Sequence, residues 1–417
     1  MDAMSKNGVI PLAELFNLDK NSLPYSKKIS LTWWQQCLAL WLLLGTLLTI
    51  TAFLGANILE AGDGIPANLT VSADKIPGIW GRWDAGHYLA IATSGYAATL
   101  PQNTLGFFPL YPLLMQALSR LTGLNLALSG MVIAQVSYLV AILLFYRLAR
   151  LIHDDHGYAW RSTLFLTLFP TAFFYLALYA ESLYLALAIL TVYLLLRPRP
   201  HYGWSGVACG LASLARPVGW LFNLVFLAEF ARRRVWQWRL LLLLGLGLFM
   251  SVAGVGLYVV YTYTLTGSWL AIPDCQALWQ RQWQLPWLTY GQSVRYLIEG
   301  NGLTGDWFLA AINGVDLAVT TVALGLTAAA AYQAYHHRYP WSLVLYLVVS
   351  LLFLLAQRGP SVVPCWGMSR WIGSLFPLFL VLGNTTRSHL WQKIVLVLSA
   401  GLLLGATAWW TSGRWVG

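Results

Sequence analysis

Apolar residues dominate this chain in runs too long for a soluble fold. No charged residue occurs from Leu31 to Leu59, and none from Leu240 to Pro273. A helix needs about 20 apolar residues to cross a hydrocarbon core of ~30 Å, and these runs suffice. Strand-like alternation of polar and apolar positions is missing, so the spans read as helices rather than barrel strands. The pattern predicts full spans over Leu31–Gly55, Leu126–Arg147, Arg161–Leu178, Ser182–Leu196, Leu240–Leu265, Trp307–Tyr332, Trp341–Ala356, Trp371–Gly383 and Trp391–Trp410. The stretch Gly203–Ala231 is apolar but interrupted at Arg216-Pro217-Val218-Gly219. Each half holds about 13 residues, roughly 20 Å of helix, too short to cross. A broken re-entrant pair is the expectation, with Pro217 and Gly219 supplying the break.

The fold class is therefore an all-α polytopic membrane protein in one unit. Residues 1–30 form a cytoplasmic segment, 31–411 the membrane domain and 412–417 an outer tail. The polar N-terminal stretch is too long for the n-region of a signal peptide, so the first apolar run is expected to remain as an anchor. Of the 417 residues, 58% are hydrophobic and 10% charged, against roughly 25% charged in soluble domains. The net charge of +10 is scattered between spans and forms no basic stripe with interleaved aromatics. It reads as a topology signal and not as a nucleic-acid surface. With the N-terminus inside, Arg232, Arg233, Arg234 and Arg239 fall inside, and inner segments carry about twice the Lys and Arg of outer ones. That count requires Phe107–Leu121, with Pro109 and Pro112, to lie along the outer surface instead of crossing. The outer side then owns loops 56–125, 266–306 and 357–370. These hold Asp84, Asp274 and Glu299, so a catalytic face turned outward follows.

Four cysteines form no metal pattern. Cys37 and Cys209 read as packing residues. Cys275 and Cys365 fall in outer loops, either as free thiols or as a disulfide. His336 and His337 have no companion ligands, and no metal site is expected. The densest chemistry lies in Trp80-Gly-Arg-Trp-Asp-Ala-Gly-His-Tyr88. If this is helical, Asp84, His87, Tyr88 and Ile91 share a face. A carboxylate beside a histidine, among tryptophans at a membrane surface, suits a base in a sugar site; the plain alternative is an interfacial helix with Trp anchors. Glu181 is the one charge between Arg161 and Arg197. Burying it costs several kcal/mol unless it is paired or reaches a wet cavity, so it reads as functional, or else as the cap of a surface turn. Arg216, inside the broken pair, wants an anion, either a lipid phosphate or Glu181. Arg370 either serves the same phosphate or snorkels to the headgroups. Asp316 either reaches the cavity or makes a helix–helix hydrogen bond. Asp84 and Glu181 would hold a divalent ion only if the fold made them converge.

Several motifs, in order, resemble the second GPI mannosyltransferase family (PIG-V type) and its bacterial relatives. They are Trp83-Asp-Ala-Gly-His-Tyr-Leu89, Phe107-Phe-Pro-Leu-Tyr-Pro-Leu113, Phe169-Pro-Thr-Ala-Phe-Phe174, Tyr179-Ala-Glu-Ser-Leu183, Ala215-Arg-Pro-Val-Gly219 and Met368-Ser-Arg370. The resemblance spans roughly residues 30–385, and Tyr179-Ala-Glu181 departs from it by lacking a hydroxyl residue before the glutamate. It implies a GT-C glycosyltransferase in a plasma membrane, with a polyprenyl-phosphate mannose donor, a glycolipid or glycan acceptor and no cofactor. Its catalytic aspartate would be Asp84. The expected transfer is inverting. Arg82, Trp83, His87, Tyr88, Tyr179, Glu181, Arg216, Arg370, Gln276, Trp279 and Arg281 would bind substrate, with Trp and Tyr residues of Leu278–Tyr290 stacking on the acceptor. The rival class is a lipid-linked-sugar transporter or flippase, which would carry inverted repeats and midplane charges. A third reading keeps the enzyme and changes the sugar.

Overall fold

The computed structural model describes residues 10–11, 30–59, 76–96, 102–233, 237–299, 307–385 and 388–416. The first half runs through α1 (Trp33–Ile58), α2 (Ile76–Trp80), α3 (Ala85–Ser94), α4 (Leu110–Thr122), α5 (Leu126–Ile152) and α6 (His156–Thr167). The middle holds α7 (Glu181–Leu196), α8 (Tyr202–Ala215), α9 (Asn223–Arg233), α10 (Trp238–Thr266), α11 (Ala271–Ala277) and α12 (Pro286–Ile298). The chain closes with α13 (Trp307–Tyr335), α14 (Trp341–Leu355), α15 (Met368–Gly373), α16 (Pro377–Thr385) and α17 (His389–Thr411). Two-residue antiparallel ladders pair Ile10–Pro11 with Ser30–Leu31, and Gln282–Trp283 with Gln357–Arg358. The second ladder ties together two of the three loops expected on the outer side, 266–306 and 357–370.

Among the described residues, five helices are long and apolar enough to cross a membrane: α1, α5, α10, α13 from Phe308 onward, and α17. The chain is an integral membrane protein. The sequence suggested nine spans, and the other four are shorter or broken. The apolar helices α7 and α14 have 16 and 15 residues. The stretch Arg161–Leu178 is not one helix: α6 ends at Thr167, and a 3-10 turn follows at Ala172–Tyr175. Pro170 explains this, because the residues before a proline leave the α region. Trp371–Gly383 breaks the same way, with α15 ending at Gly373 and α16 starting at Pro377. These two breaks matter, because each delivers irregular backbone to the pocket end of the bundle.

The expected break after α8 is present. Arg216 leaves the helix in an extended conformation (φ −150°, ψ 141°), and a 3-10 turn runs over Pro217–Phe222 before α9. The broken pair is held by close backbone contact with α10. A Cβ at Gly206 would collide with the backbone of Gly247, and one at Gly210 with the carbonyl of Met250. Small residues at such crossings let helices approach without a polar partner. Asp316 proves structural. From mid-α13 it accepts hydrogen bonds from the backbone N–H groups of Gly367 (3.0 Å) and Ser369 (2.8 Å). Gly367 sits at φ 81°, the left-handed region that favours glycine. The aspartate thereby fixes the turn that launches Arg370.

All four cysteines are buried free thiols, so Cys275 and Cys365 form no disulfide. Cys275 instead donates to the carbonyl of Ile272 (2.9 Å).

Candidate active site

The Trp-Asp-Ala-Gly-His segment is set by its backbone. Trp83 adopts φ 52°, rare for a bulky residue, and this kink precedes α3. Tyr179 holds the turn: its hydroxyl donates to the carbonyl of Arg82 (2.9 Å) and accepts from the N–H of Asp84 (3.1 Å). Asp84 stands at the N-cap of α3 yet makes no side-chain cap. Its Oδ2 instead accepts from Arg370 Nη1 at 2.6 Å, across 286 residues of chain. Glu181 begins α7 and meets the same guanidinium, accepting from Nε at 2.7 Å and pairing with Nη2. Arg370 therefore bridges two carboxylates. Side-chain exposure is 22% for Asp84, 10% for Arg370 and 1% for Glu181, so of the two carboxylates Asp84 is the one that faces open space. Arg370 also lies 4.8 Å over the rings of Phe174 and Tyr179. The reading of Arg370 as a headgroup anchor is thus replaced by a buried ion cluster.

Arg216 joins from the broken pair. Its Nη1 donates to Ser374 (3.1 Å) and lies 3.6 Å from Glu181, while its guanidinium covers the Trp371 ring at 4.4 Å. Arg281 lies on the other side, 5.8 Å from the same ring, and reaches the carbonyl of Trp366 at 3.5 Å. Among the described residues Arg281 has no carboxylate ion pair. Burial, and then the neighbouring Arg370, pull its pKa down to about 10. It still carries charge at neutral pH, with Asp316 and Asp84 near enough to favour that charge but not in contact with it.

These groups face one pocket of about 420 Å³. Its walls include Trp83, Asp84, His87, Tyr88, Arg216, Gln276, Trp279, Arg281 and Arg370, all expected from sequence. Glu181 and Tyr179 stand behind the wall, gripping the cluster and the turn, while Arg82 is not among the lining residues and offers that turn only its backbone carbonyl. His87 does not orient Asp84 by hydrogen bond. Its Nδ1 lies 3.4 Å from Thr104 Oγ1, and its ring stacks on Phe107 at 4.4 Å. Burial outweighs the nearby Asp84 and lowers its pKa, so it is neutral near pH 7. Gly106 matters for packing, since a Cβ there would sit 2.9 Å from the Trp279 ring. Between Asp84 and Glu181, where a divalent ion would sit, stands the guanidinium of Arg370. Among the described residues no three His, Cys, Asp or Glu side chains gather as metal ligands would.

Of the tryptophans in the pocket wall, the sequence reading missed three: Trp366, Trp371 and Trp415. The tail at 412–417 is no bystander. Trp415 meets Trp83 edge-on at 5.4 Å and lies 5.8 Å from Arg370. A tail tryptophan reads as an interfacial anchor, and only the fold brings it home.

The sequence profile of the mannosyltransferase (PIG-V) family matches residues 61–298. The match thus holds Asp84, Glu181, Arg216 and Arg281, and ends before Arg370. None of the curated proteins matches the chain. Among solved structures, ArnT from Cupriavidus metallidurans bound to undecaprenyl phosphate is 14% identical, with a TM-score of 0.47 over 91% of this chain and 76% of its own. The Archaeoglobus fulgidus oligosaccharyltransferase complexed with zinc and sulfate is 12% identical, with a TM-score of 0.45 over 90% of this chain and 53% of its own. This chain spans about half the length of that archaeal enzyme. The profile match covers more than half of the sequence, and the chain belongs to the PIG-V mannosyltransferase family.

Proposed function

We infer that this protein is an inverting, polyprenyl-phosphate-mannose-dependent mannosyltransferase with a GT-C fold, acting on a glycolipid or glycan acceptor at the extracytoplasmic face. The observation that carries the reading is the charge layout of the pocket: one partly open carboxylate, Asp84, opposite cations left without a full set of anions. Arg370 is committed to Asp84 and Glu181. The guanidinium groups with donors to spare for a phosphate are those of Arg281 and of Arg216, which pairs with Glu181 only loosely, at 3.6 Å. Sequence alone assigned the phosphate to Arg216 and Arg370, and the pairing of Arg370 moves that role to Arg281.

In the proposed step Asp84 accepts the proton of an acceptor hydroxyl. The oxygen attacks the anomeric carbon of a β-linked mannosyl phosphate, the bond from that carbon to the phosphate oxygen breaks, and an α-mannoside forms. The leaving polyprenyl phosphate keeps the electron pair, and Arg281 and Arg216 stabilise its charge in a pocket walled by aromatic rings. Glu181 neutralises Arg370 from behind, so the bridge fixes Asp84 without leaving a net cation beside it. Neutral His87 can hydrogen-bond a sugar hydroxyl through Nε2. Trp279 and Gln276 line the side where an acceptor would stack.

Arg216 separates this reading from a purely structural one. Its planar fork can grip two phosphate oxygens, which a lysine cannot. Arg216→Lys should weaken donor binding by about 1–3 kcal/mol, and Arg216→Ala by more, while thermal unfolding stays near that of wild type. Donor Kd and Tm measured together decide it. An unchanged Kd with a lowered Tm would make Arg216 a structural partner of Glu181 only.

A further inference from the structure

The candidate active site lies at one end of α5. Tyr88, a pocket wall, packs on Tyr111 with ring centroids 5.1 Å apart, and the Tyr111 hydroxyl donates to the carbonyl of Gly130 at 2.9 Å. Arg147 lies 17 residues further along the same helix, which is about 26 Å of rise, close to the thickness of a hydrocarbon core. At that opposite end is a second cavity, of about 330 Å³, between the start of α1, the end of α5 and the start of α6.

Scattered arginines at a membrane face need no explanation beyond topology. This cavity is different in three ways. Nε and Nη1 of Arg150 are buried with no hydrogen-bond partner. Its Nη2 pairs with Asp154, whose side chain is 87% exposed and so shields it poorly. Arg147 makes no ion pair among the described residues and lies over the Trp33 ring at 4.9 Å. Trp33 is itself stacked flat on Tyr146 (5.5 Å, 8°), whose hydroxyl is 2.7 Å from His156 Nδ1. The cavity thus has a rigid aromatic wall and two guanidinium groups, with one exposed carboxylate against them. Buried donors without acceptors are costly, and an anion with several oxygens would satisfy them.

We propose that this cavity is a second anion site, which binds the phosphate of an anionic lipid headgroup in the leaflet opposite the active site. Trp33 and Tyr193 are of the type that sits at headgroup level, and a basic pocket between helices suits a lipid phosphate.

The test uses the full chain in nanodiscs of phosphatidylcholine, titrated with phosphatidylglycerol and followed by native mass spectrometry. Wild type and Arg216→Gln should each hold one phosphatidylglycerol. Arg147→Gln combined with Arg150→Gln should bind it about tenfold more weakly or worse. Trp33→Ala, which removes no charge, should also weaken it and serves if the double variant does not fold. Competition by millimolar inorganic phosphate would assign the site to soluble phosphate, and resistance to it would assign the lipid headgroup. Equal phosphatidylglycerol binding by wild type and either cavity variant would overturn the proposal.

Discussion

Asp84→Asn should lose transfer activity by a factor of about 10²–10⁴, the usual worth of a positioned general base, with donor affinity and stability nearly unchanged. The substitution keeps the shape of the side chain and an oxygen for Arg370 to grip, 2.6 Å away in the wild type. It removes only the basicity of the one carboxylate that opens into the pocket. Because Tyr179 fixes the surrounding backbone, the turn at Trp83 should survive the exchange. Initial rates, donor Kd and Tm on the purified variant separate the roles. A rate within about threefold of wild type would remove Asp84 as the base.

Arg370→Ala should be the most damaging single change to stability. It strands Glu181, 1% exposed, together with the better-exposed Asp84, without their shared cation. Breaking one side of a buried ion pair costs about 3–5 kcal/mol. Replacing both partners should be gentler, since apolar or neutral groups of similar size need no counter-charge. Arg370→Met with Glu181→Gln should therefore recover most of the unfolding temperature lost in Arg370→Ala. Transfer should stay lost, because nothing then orients Asp84. A double variant with wild-type turnover would show that the bridge is scaffolding alone.

The legible parts of this molecule were those carried by local chemistry. The long apolar runs gave α1, α5, α10, α13 and α17, and Arg216-Pro217 marked the break that follows α8. Glu181 and Arg216 stood out because each is costly in apolar surroundings, Asp84 because it lies beside a histidine among tryptophans, and all three meet at one cluster. Span counting failed where a proline hides within an apolar run. Pro170 and Pro377 mark breaks in apolar runs that hydropathy alone reads as continuous, since averaging over a window does not register a missing N–H. The partnership of Arg370 with Asp84 and Glu181 was equally invisible, because nothing local records which distant carboxylate an arginine will meet. Trp415 is the extreme case: it closes the pocket from the end of the chain.

The central claim is the transfer itself, and one assay addresses it. Purified protein in detergent would receive β-linked mannose on a polyprenyl phosphate, an alkyl glycoside acceptor and EDTA, with no nucleotide sugar. The product would be followed by NMR of its anomeric proton. The account predicts an α-linked mannoside and one polyprenyl phosphate released per bond formed. A β-linked product, or turnover that appears only when a nucleotide sugar or Mn²⁺ is added, would contradict it.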